Sequence, residues 1–295
     1  MEELRDRVER VVRQVVRELL AAGQDLPELS GSRGRRRLVV ANWKMNLLRA
    51  SARQWVEAFP ESSDRHCQVV ICPPAVLLWP LAEALDAAGR DIALGAQDLH
   101  PEAGGAHTGE VAAAMLLEAG ARYVIVGHSE RRAAGEDDEL VARKLAAALA
   151  AGLCPILCLG ETAPERERGL TLMRLRGQLD LALAGLGHPA PDPAGLVLAY
   201  EPVWAIGSGR AAGADDAQQA AAFLRERLAE LFSFAWARQV RILYGGSVSG
   251  ENAEHIAACP DIDGFLVGGA SLRPESFAAI VQASRRQAAG KEVSR

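Results

Sequence analysis

The sequence predicts an α/β protein: a closed (β/α)8 barrel preceded by an amphipathic N-terminal helix and a flexible linker. Three observations carry this prediction. From residue 38 onward, short apolar runs rich in Val, Ile and Leu alternate with Ala-rich segments of helical period. The runs show no polar alternation, as expected of strands covered on both faces. Eight strand–helix units in about 250 residues match the size and repeat of a closed barrel. An open doubly wound sheet is the competing arrangement, but no G-x-G-x-x-G follows the first run to support it.

Taken in order, residues 1–21 read as a self-contained amphipathic helix. Leu4, Val8, Val11, Val12, Val15, Leu19 and Leu20 recur at helical spacing, with Arg5, Arg7, Arg10, Arg13 and Arg17 on the other face. No charged segment leads into an apolar core there, which argues against a secretory signal. Gly23, Pro27, Gly31, Ser32, Gly34 and the run Arg35–Arg37 then read as a linker. The strand runs follow at 38–42, 69–72, 92–96, 123–127, 156–159, 196–200, 241–244 and 264–267. Helical patterns lie near 50–59, 74–88, 110–119, 137–151, 171–184, 215–232, 250–258 and 274–288. The expected organisation is helix plus linker over 1–37, barrel over 38–290 and a C-terminal tail over 291–295.

The composition is 49% hydrophobic and 24% charged, enough to build a large core. The net charge of −5, without a basic patch interleaved with aromatics, argues against a nucleic-acid binder. No apolar run reaches the ~18 residues of a membrane span. Five cysteines without a secretory signal suggest reduced thiols in the cytoplasm. Cys154 and Cys158 lie in or beside an apolar strand without a second Cys or His cluster nearby, so they read as core thiols. No metal site is expected.

In such a barrel, polar residues just after the strands converge on one rim. Asn42 and Lys44 follow the first run, and His128, Ser129, Glu130, Arg131 and Arg132 follow the fourth. Glu201 ends the sixth, and Pro202 stops that strand at once. Val203, Trp204 and Ile206, then Gly207, Ser208 and Gly209, read as a lid with bulky apolar anchors and a small tip. The pairs Gly245–Gly246 and Gly268–Gly269 follow the seventh and eighth runs, where backbone N–H groups hold a phosphate. A Lys, a His and a Glu can then face one pocket and do shielded acid–base chemistry.

These stretches resemble the triosephosphate isomerase family. The matching segments are NWKMN (42–46), GAHTGE (105–110), VGHSERR (126–132), CLGE (158–161), YEPVWAIGSG (200–209), YGGSV (244–248) and VGGASL (267–272). The resemblance implies a TIM barrel and an isomerase of glycolysis and gluconeogenesis. It would interconvert dihydroxyacetone phosphate and D-glyceraldehyde 3-phosphate through an enediolate, without a cofactor. It implies Glu201 as base, His128 as electrophile and Lys44 as the cation at the substrate oxygen, with Asn42 and Glu130 beside them. Ile206, Gly207, Ser247, Gly268 and Gly269 would join Asn42 and Lys44 in binding substrate and phosphate. Pro202, Val203, Trp204, Ser208, Gly209 and Arg210 would belong to the lid. The loop ending in His107, Thr108, Gly109 and Glu110 would insert into the partner of a homodimer.

The chain departs from the family pattern at several places. Asp98 stands where Asn is usual, and His107 where an aromatic is usual; both changes are expected to bear on the dimer contact. Arg210, Ala211, Ala212 and Ala214 replace the usual far hinge of the lid and its following Pro, which bears on hinge stiffness. His66, His100, His188 and His255 have no charge partner nearby in sequence and read as surface residues.

Residues 1–37 lie outside the family pattern. They resemble the encapsulation peptides of bacterial microcompartments, which implies a shell-protein partner for residues 1–21 and a place inside such a compartment. The other reading is an extra helix packed on the barrel, or a frayed one. The same catalytic residues would serve an isomerase of a four-carbon ketose phosphate. A non-catalytic scaffold is the remaining alternative, and intact Lys44, His128 and Glu201 argue against it.

Overall fold

In a computed structural model, which describes residues 35–186, 190–205 and 212–293, the apolar runs form eight parallel strands that close in sequential order. The strands are β1 Arg37–Asn42, β2 Cys67–Cys72, β3 Ala93–Ala96, β4 Ala121–Val126, β5 Cys154–Leu159, β6 Val197–Tyr200, β7 Arg241–Tyr244 and β8 Gly264–Val267. This is a (β/α)8 TIM barrel, as the alternation of patterns predicts. The expected N-terminal helix, most of the expected linker and the expectations attached to them fall on residues 1–34, outside the described residues.

Residues of opposite parity in each strand serve two cores. Leu38, Val40, Val70, Ile125, Ile156, Val197 and Leu243 belong to one buried cluster inside the barrel. Val39, Ala41, Val69, Ile71, Val124, Leu157 and Leu198 belong to another, together with the helices. Both faces of a strand are therefore dry, which is why its sequence reads as a continuous apolar run. Cys154 and Cys158 share the inward parity; Cys158 is fully buried, Cys154 packs against the same cluster, and both thiols are free. Burial pushes the Cys154 thiol up to about 11, against the pull of Arg241, and raises Cys158 further still. Closure occurs where Leu38 of β1 pairs with Gly264 of β8. A Cβ at Gly264 would lie 1.8 Å from the Leu38 carbonyl oxygen, so only glycine fits the seam.

The helices return the chain to the start of each next strand. They are α1 Arg49–Ala58, α2 Leu78–Ala87, α3 Ala113–Glu118, α4 Ser129–Ala133, α5 Asp138–Ala151, α6 Ala163–Glu167, α7 Thr171–Ala184, α8 Ala214–Leu231, α9 Phe234–Ala237, α10 Gly250–Ala257 and α11 Pro274–Val293. Their ends follow capping chemistry. The Asp137 carboxylate accepts from Leu140 N at α5, and Gly152 closes that helix with φ +85°. Thr162 and Glu165 form a capping box at α6. Several boundaries differ from expectation: β2, β4 and β5 each begin two residues before their apolar runs. α11 runs to Val293, through the start of the expected tail at 291, because the residues after Gln287 include no proline to stop it.

The histidine assignments need correction. His66 and His100 are half-buried, and only His255 is exposed; His188 lies outside the described residues. His66 also has a charged neighbour: its backbone N–H donates to the Asp64 carboxylate at 2.8 Å. Among the described residues, no helix is long and apolar enough to cross a membrane.

Candidate active site

The C-terminal ends of β1, β4, β6 and β8 bring the charged candidates together. The end of β4 is followed at once by α4, with His128 as its N-cap. The Nδ1 atom of His128 accepts the backbone N–H of Glu130 at 3.2 Å. An imidazolium has no acceptor, so this bond fixes a neutral ring with its proton on Nε2. That Nε2 lies 3.2 Å from Oε1 of Glu201. The other Glu201 oxygen accepts the Ser129 backbone N–H at 2.8 Å. Both side chains are buried. A buried carboxylate held on one oxygen and facing an N–H at the other can exchange a proton with a molecule placed between them.

Lys44 enters from the other side. Its backbone has φ +51°, a left-handed value that costs energy in a residue with a side chain. Two side chains hold that conformation. Asn42 Oδ1 accepts the Lys44 N–H at 3.0 Å, and Gln97 Nε2 donates to the Lys44 carbonyl at 2.8 Å. The Lys44 ammonium donates to Glu130 at 2.6 Å. Its side chain runs past Gly268, where an added Cβ would meet Lys44 Cε at 3.3 Å. Lys44, Glu130, His128, Glu201 and Gly268 thus share one rim of the barrel.

The glycine pairs divide unequally. Gly268 precedes a 3-10 turn over Gly269–Leu272, and its carbonyl is taken by Ser271. Ser247 is exposed on the loop after β7. The Gly245 N–H, however, donates to the Tyr200 carbonyl at 2.8 Å. The expectation that both glycine pairs present their N–H groups to a ligand is therefore corrected: Gly245 serves the β6–β7 seam.

The base of the expected lid is anchored. Val203–Ala205 forms a 3-10 turn, with Pro202 buried before it. The Trp204 indole donates to Glu161 at 2.8 Å, and Tyr200 donates to the same oxygen at 3.1 Å. Arg166 lies over the Trp204 ring, 4.4 Å from its centroid. Ile206, Gly207, Ser208, Gly209, Arg210 and Ala211 lie outside the described residues.

Asp98 and the loop after β3 stand apart from this centre. The Asp98 carboxylate pairs with buried Lys144 at 2.6 Å and with Arg131 at 3.0 Å; both cations also pair with Glu136. Burial raises the Asp98 carboxyl against the pull of Lys144. Glu136 is held low, because the bonds from Lys144 and Arg131 outweigh its burial. The Asp98 carboxylate is thus engaged by cations of its own chain. His107, Thr108, Gly109 and Glu110 project on an exposed loop.

Three contributions escape a reading by strand ends. Gln97 clamps both the Lys44 and Cys72 carbonyls, and only the pairing of β1, β2 and β3 brings these together. Ser129 acts through its backbone, which carries no side-chain signal. Gly160, at the end of β5, faces Glu201 so closely that a Cβ would lie 1.7 Å from the Glu201 carbonyl oxygen. The CLGE segment contains this glycine, but its purpose depends on β6 lying alongside.

The family model described as triosephosphate isomerase matches residues 37–284. Curated relatives are similar over the same region. A protein named triosephosphate isomerase from Carboxydothermus hydrogenoformans is 50% identical over 255 residues, covering 85% of this chain and 99% of its own length. One of the same name from Herminiimonas arsenicoxydans is 49% identical, covering 85% of this chain and 100% of its own. Another from Bradyrhizobium diazoefficiens is 48% identical, covering 84% and 97%.

Proposed function

The chain belongs to the triosephosphate isomerase family, and from that premise we propose that it interconverts dihydroxyacetone phosphate and D-glyceraldehyde 3-phosphate through an enediolate. The observation that carries this reading is the 3.2 Å approach of His128 Nε2 to Glu201 Oε1, with Lys44 on the same rim. Glu201 takes the proton from one carbon and returns it to its neighbour. The Nε2–H of His128 and the ammonium of Lys44 stabilise the charge that develops on the substrate oxygens. Asn42 holds the Lys44 backbone, and Glu130 positions its ammonium. Ser247, Gly268 and Gly269 bind the phosphate, joined by Ile206 and Gly207. The lid excludes water so that the enediolate is protonated before it loses phosphate.

Turnover of the two triose phosphates in both directions, with solvent deuterium appearing on the reacting carbon, tests this reading. Folded protein that turns over neither substrate overturns it. Preference for a four-carbon ketose phosphate would keep the mechanism and change the substrate.

The protein is further proposed to work in the cytoplasm as a homodimer. Met45, Leu48, Val76, Trp79 and Met115 expose large apolar surface on segments following β1, β2 and β3, which are neighbours in the barrel. In that dimer the exposed loop that includes His107, Thr108, Gly109 and Glu110 meets the partner. Light scattering that gives the monomer mass at micromolar concentration would overturn this. The organisation proposed is a leader over about 1–37 and a barrel over about 38–290, whose last helix continues into the short tail. The leader recruits the enzyme to a microcompartment shell protein through the Val/Leu stripe of residues 1–21. Deleting residues 1–34 should leave catalysis intact. Fusing them to an unrelated soluble reporter should carry it to the shell protein, and a reporter that stays unbound overturns recruitment.

A further inference from the structure

The loop after β3 carries a paired histidine motif that the proposed catalysis does not use. The chain leaves β3, passes Gln97 and Asp98, and makes a neck where His100 N–H donates to the Val111 carbonyl at 2.9 Å and His100 bridges Ala112. Between these points the arm projects into solvent. Its tip folds back through Glu110 N–H to the His107 carbonyl at 3.0 Å. The fold-back brings the His107 ring onto the His100 ring, with centroids 4.0 Å apart and planes tilted by 34°. The tip is thus tied to the neck by two imidazoles in contact.

We infer that the His100–His107 pair is an acid-operated release for this arm: protonation of both rings separates the tip from the neck and weakens docking of the arm on a second copy of the chain. Two features favour release. The Nδ1 atom of His100 accepts the Glu102 backbone N–H at 3.2 Å, a bond that an imidazolium cannot make. Two rings in contact that both carry charge also repel each other. Imidazole is the side chain whose ordinary charge change falls between pH 5 and 8. Charged groups surround the pair. Glu102 and Glu110 lie on the arm, and Glu110 acts on Arg131 of α4. Asp98 at the root is engaged with Lys144 and Arg131, both of which also hold Glu136. Charge on both rings parts them.

The release itself does not depend on the homodimer; its effect on assembly rests on that reading. The test is hydrogen exchange of the full chain at about pH 7.5 and about pH 5.5, corrected for intrinsic rates. Amides of His100, Glu102 and Glu110 should lose protection roughly tenfold on acidification, while those of β3 and α5 do not. In His107→Phe the aromatic contact remains and the second charge cannot form, so protection of the Glu110 amide at the tip should be independent of pH, while Glu102, bonded to His100 alone, still loses protection. Equal acid sensitivity of Glu110 in parent and variant, or none in the parent, overturns the inference. Sedimentation velocity at the same two pH values reads the consequence. The parent dimer should weaken on acidification and the His107→Phe dimer should not. A parent that is monomeric at both values rejects the homodimer, and the exchange data still decide the release.

Discussion

Glu201 enters its pocket with one oxygen committed and one available. Ser129 N–H holds Oε2 at 2.8 Å, which stops the carboxylate from turning away, and Oε1 is left facing His128. Glu201→Asp withdraws the reacting oxygen by about one methylene. A catalytic group misplaced by ~1 Å costs on the order of 10²-fold in rate, so kcat should fall by about that much while substrate affinity changes little. Steady-state kinetics checks it, and an unchanged kcat removes Glu201 as the base. Lys44 differs in its surroundings. Its carboxylate partner Glu130 is 58% exposed, so water replaces the ammonium when Lys44 is removed. Lys44→Met should therefore abolish turnover yet shift stability by no more than about 1 kcal/mol, the range of an exposed ion pair. Calorimetry beside the activity assay separates these outcomes; an unfolded variant would contradict a solvated role for Lys44.

The elements explain why those residues hold their places. The strained turn at Lys44 survives because Asn42, from the end of β1, and Gln97, from the end of β3, clamp its N–H and its carbonyl. The end of β6 is similarly enclosed. Glu201 N–H donates to the Leu159 carbonyl at 2.7 Å, and Gly160 follows Leu159 directly. There is no room for a side chain at Gly160. Gly160→Ala should force β5 and β6 apart at the site and cost about 1–3 kcal/mol, as overpacking does. Because the displaced atom is the Glu201 carbonyl, kcat should fall as well. A variant with parental melting temperature and parental kcat would show that the strand ends adjust freely.

The barrel as a whole is a closed apolar cylinder with its charges arranged at the rims and along the outer helices. Arg225 ties α8 to Asp261 and Asp263 beside β8, and Arg285 ties α11 to Glu61 and Asp64 ahead of β2. Asp64 gives this network a defined pH response. Partial burial pushes its carboxyl up, but N–H donors from Cys67 and His66 and the charge of Arg285 outweigh that and hold it below the usual carboxylate value. A carboxylate depressed in the folded state contributes stability that is fully present above about 3.9, its ordinary value. That contribution is lost as pH falls through the lower folded-state value. Asp64→Asn should therefore melt below the parent at neutral pH, and the gap should close progressively below about pH 4. A gap that persists at lower pH would mean that Asp64 acts through packing.

The architecture was legible in the chain because a strand buried on both faces has no polar positions, so Leu38–Ala41 and Leu196–Ala199 declare themselves without reference to their neighbours. The catalytic candidates were legible for a related reason. A charged residue directly after such a run, as with Lys44, His128 or Glu201, has one rim to occupy once the sheet closes. Local chemistry went no further. Gln97 pairs with a carbonyl 53 residues away, and Gly160 is required by a carbonyl from the next strand. The Gly245 N–H, which looks free in sequence, is spent on the seam beside it. Asp98 looks like part of an outward-facing loop, yet its carboxylate closes a charge ring with Lys144 and Arg131. Each of these depends on which strand lies beside which and in what register, and residue type and spacing do not encode that. Backbone N–H groups, bare glycine faces and buried counter-charges acquire their partners only when the eight strands meet.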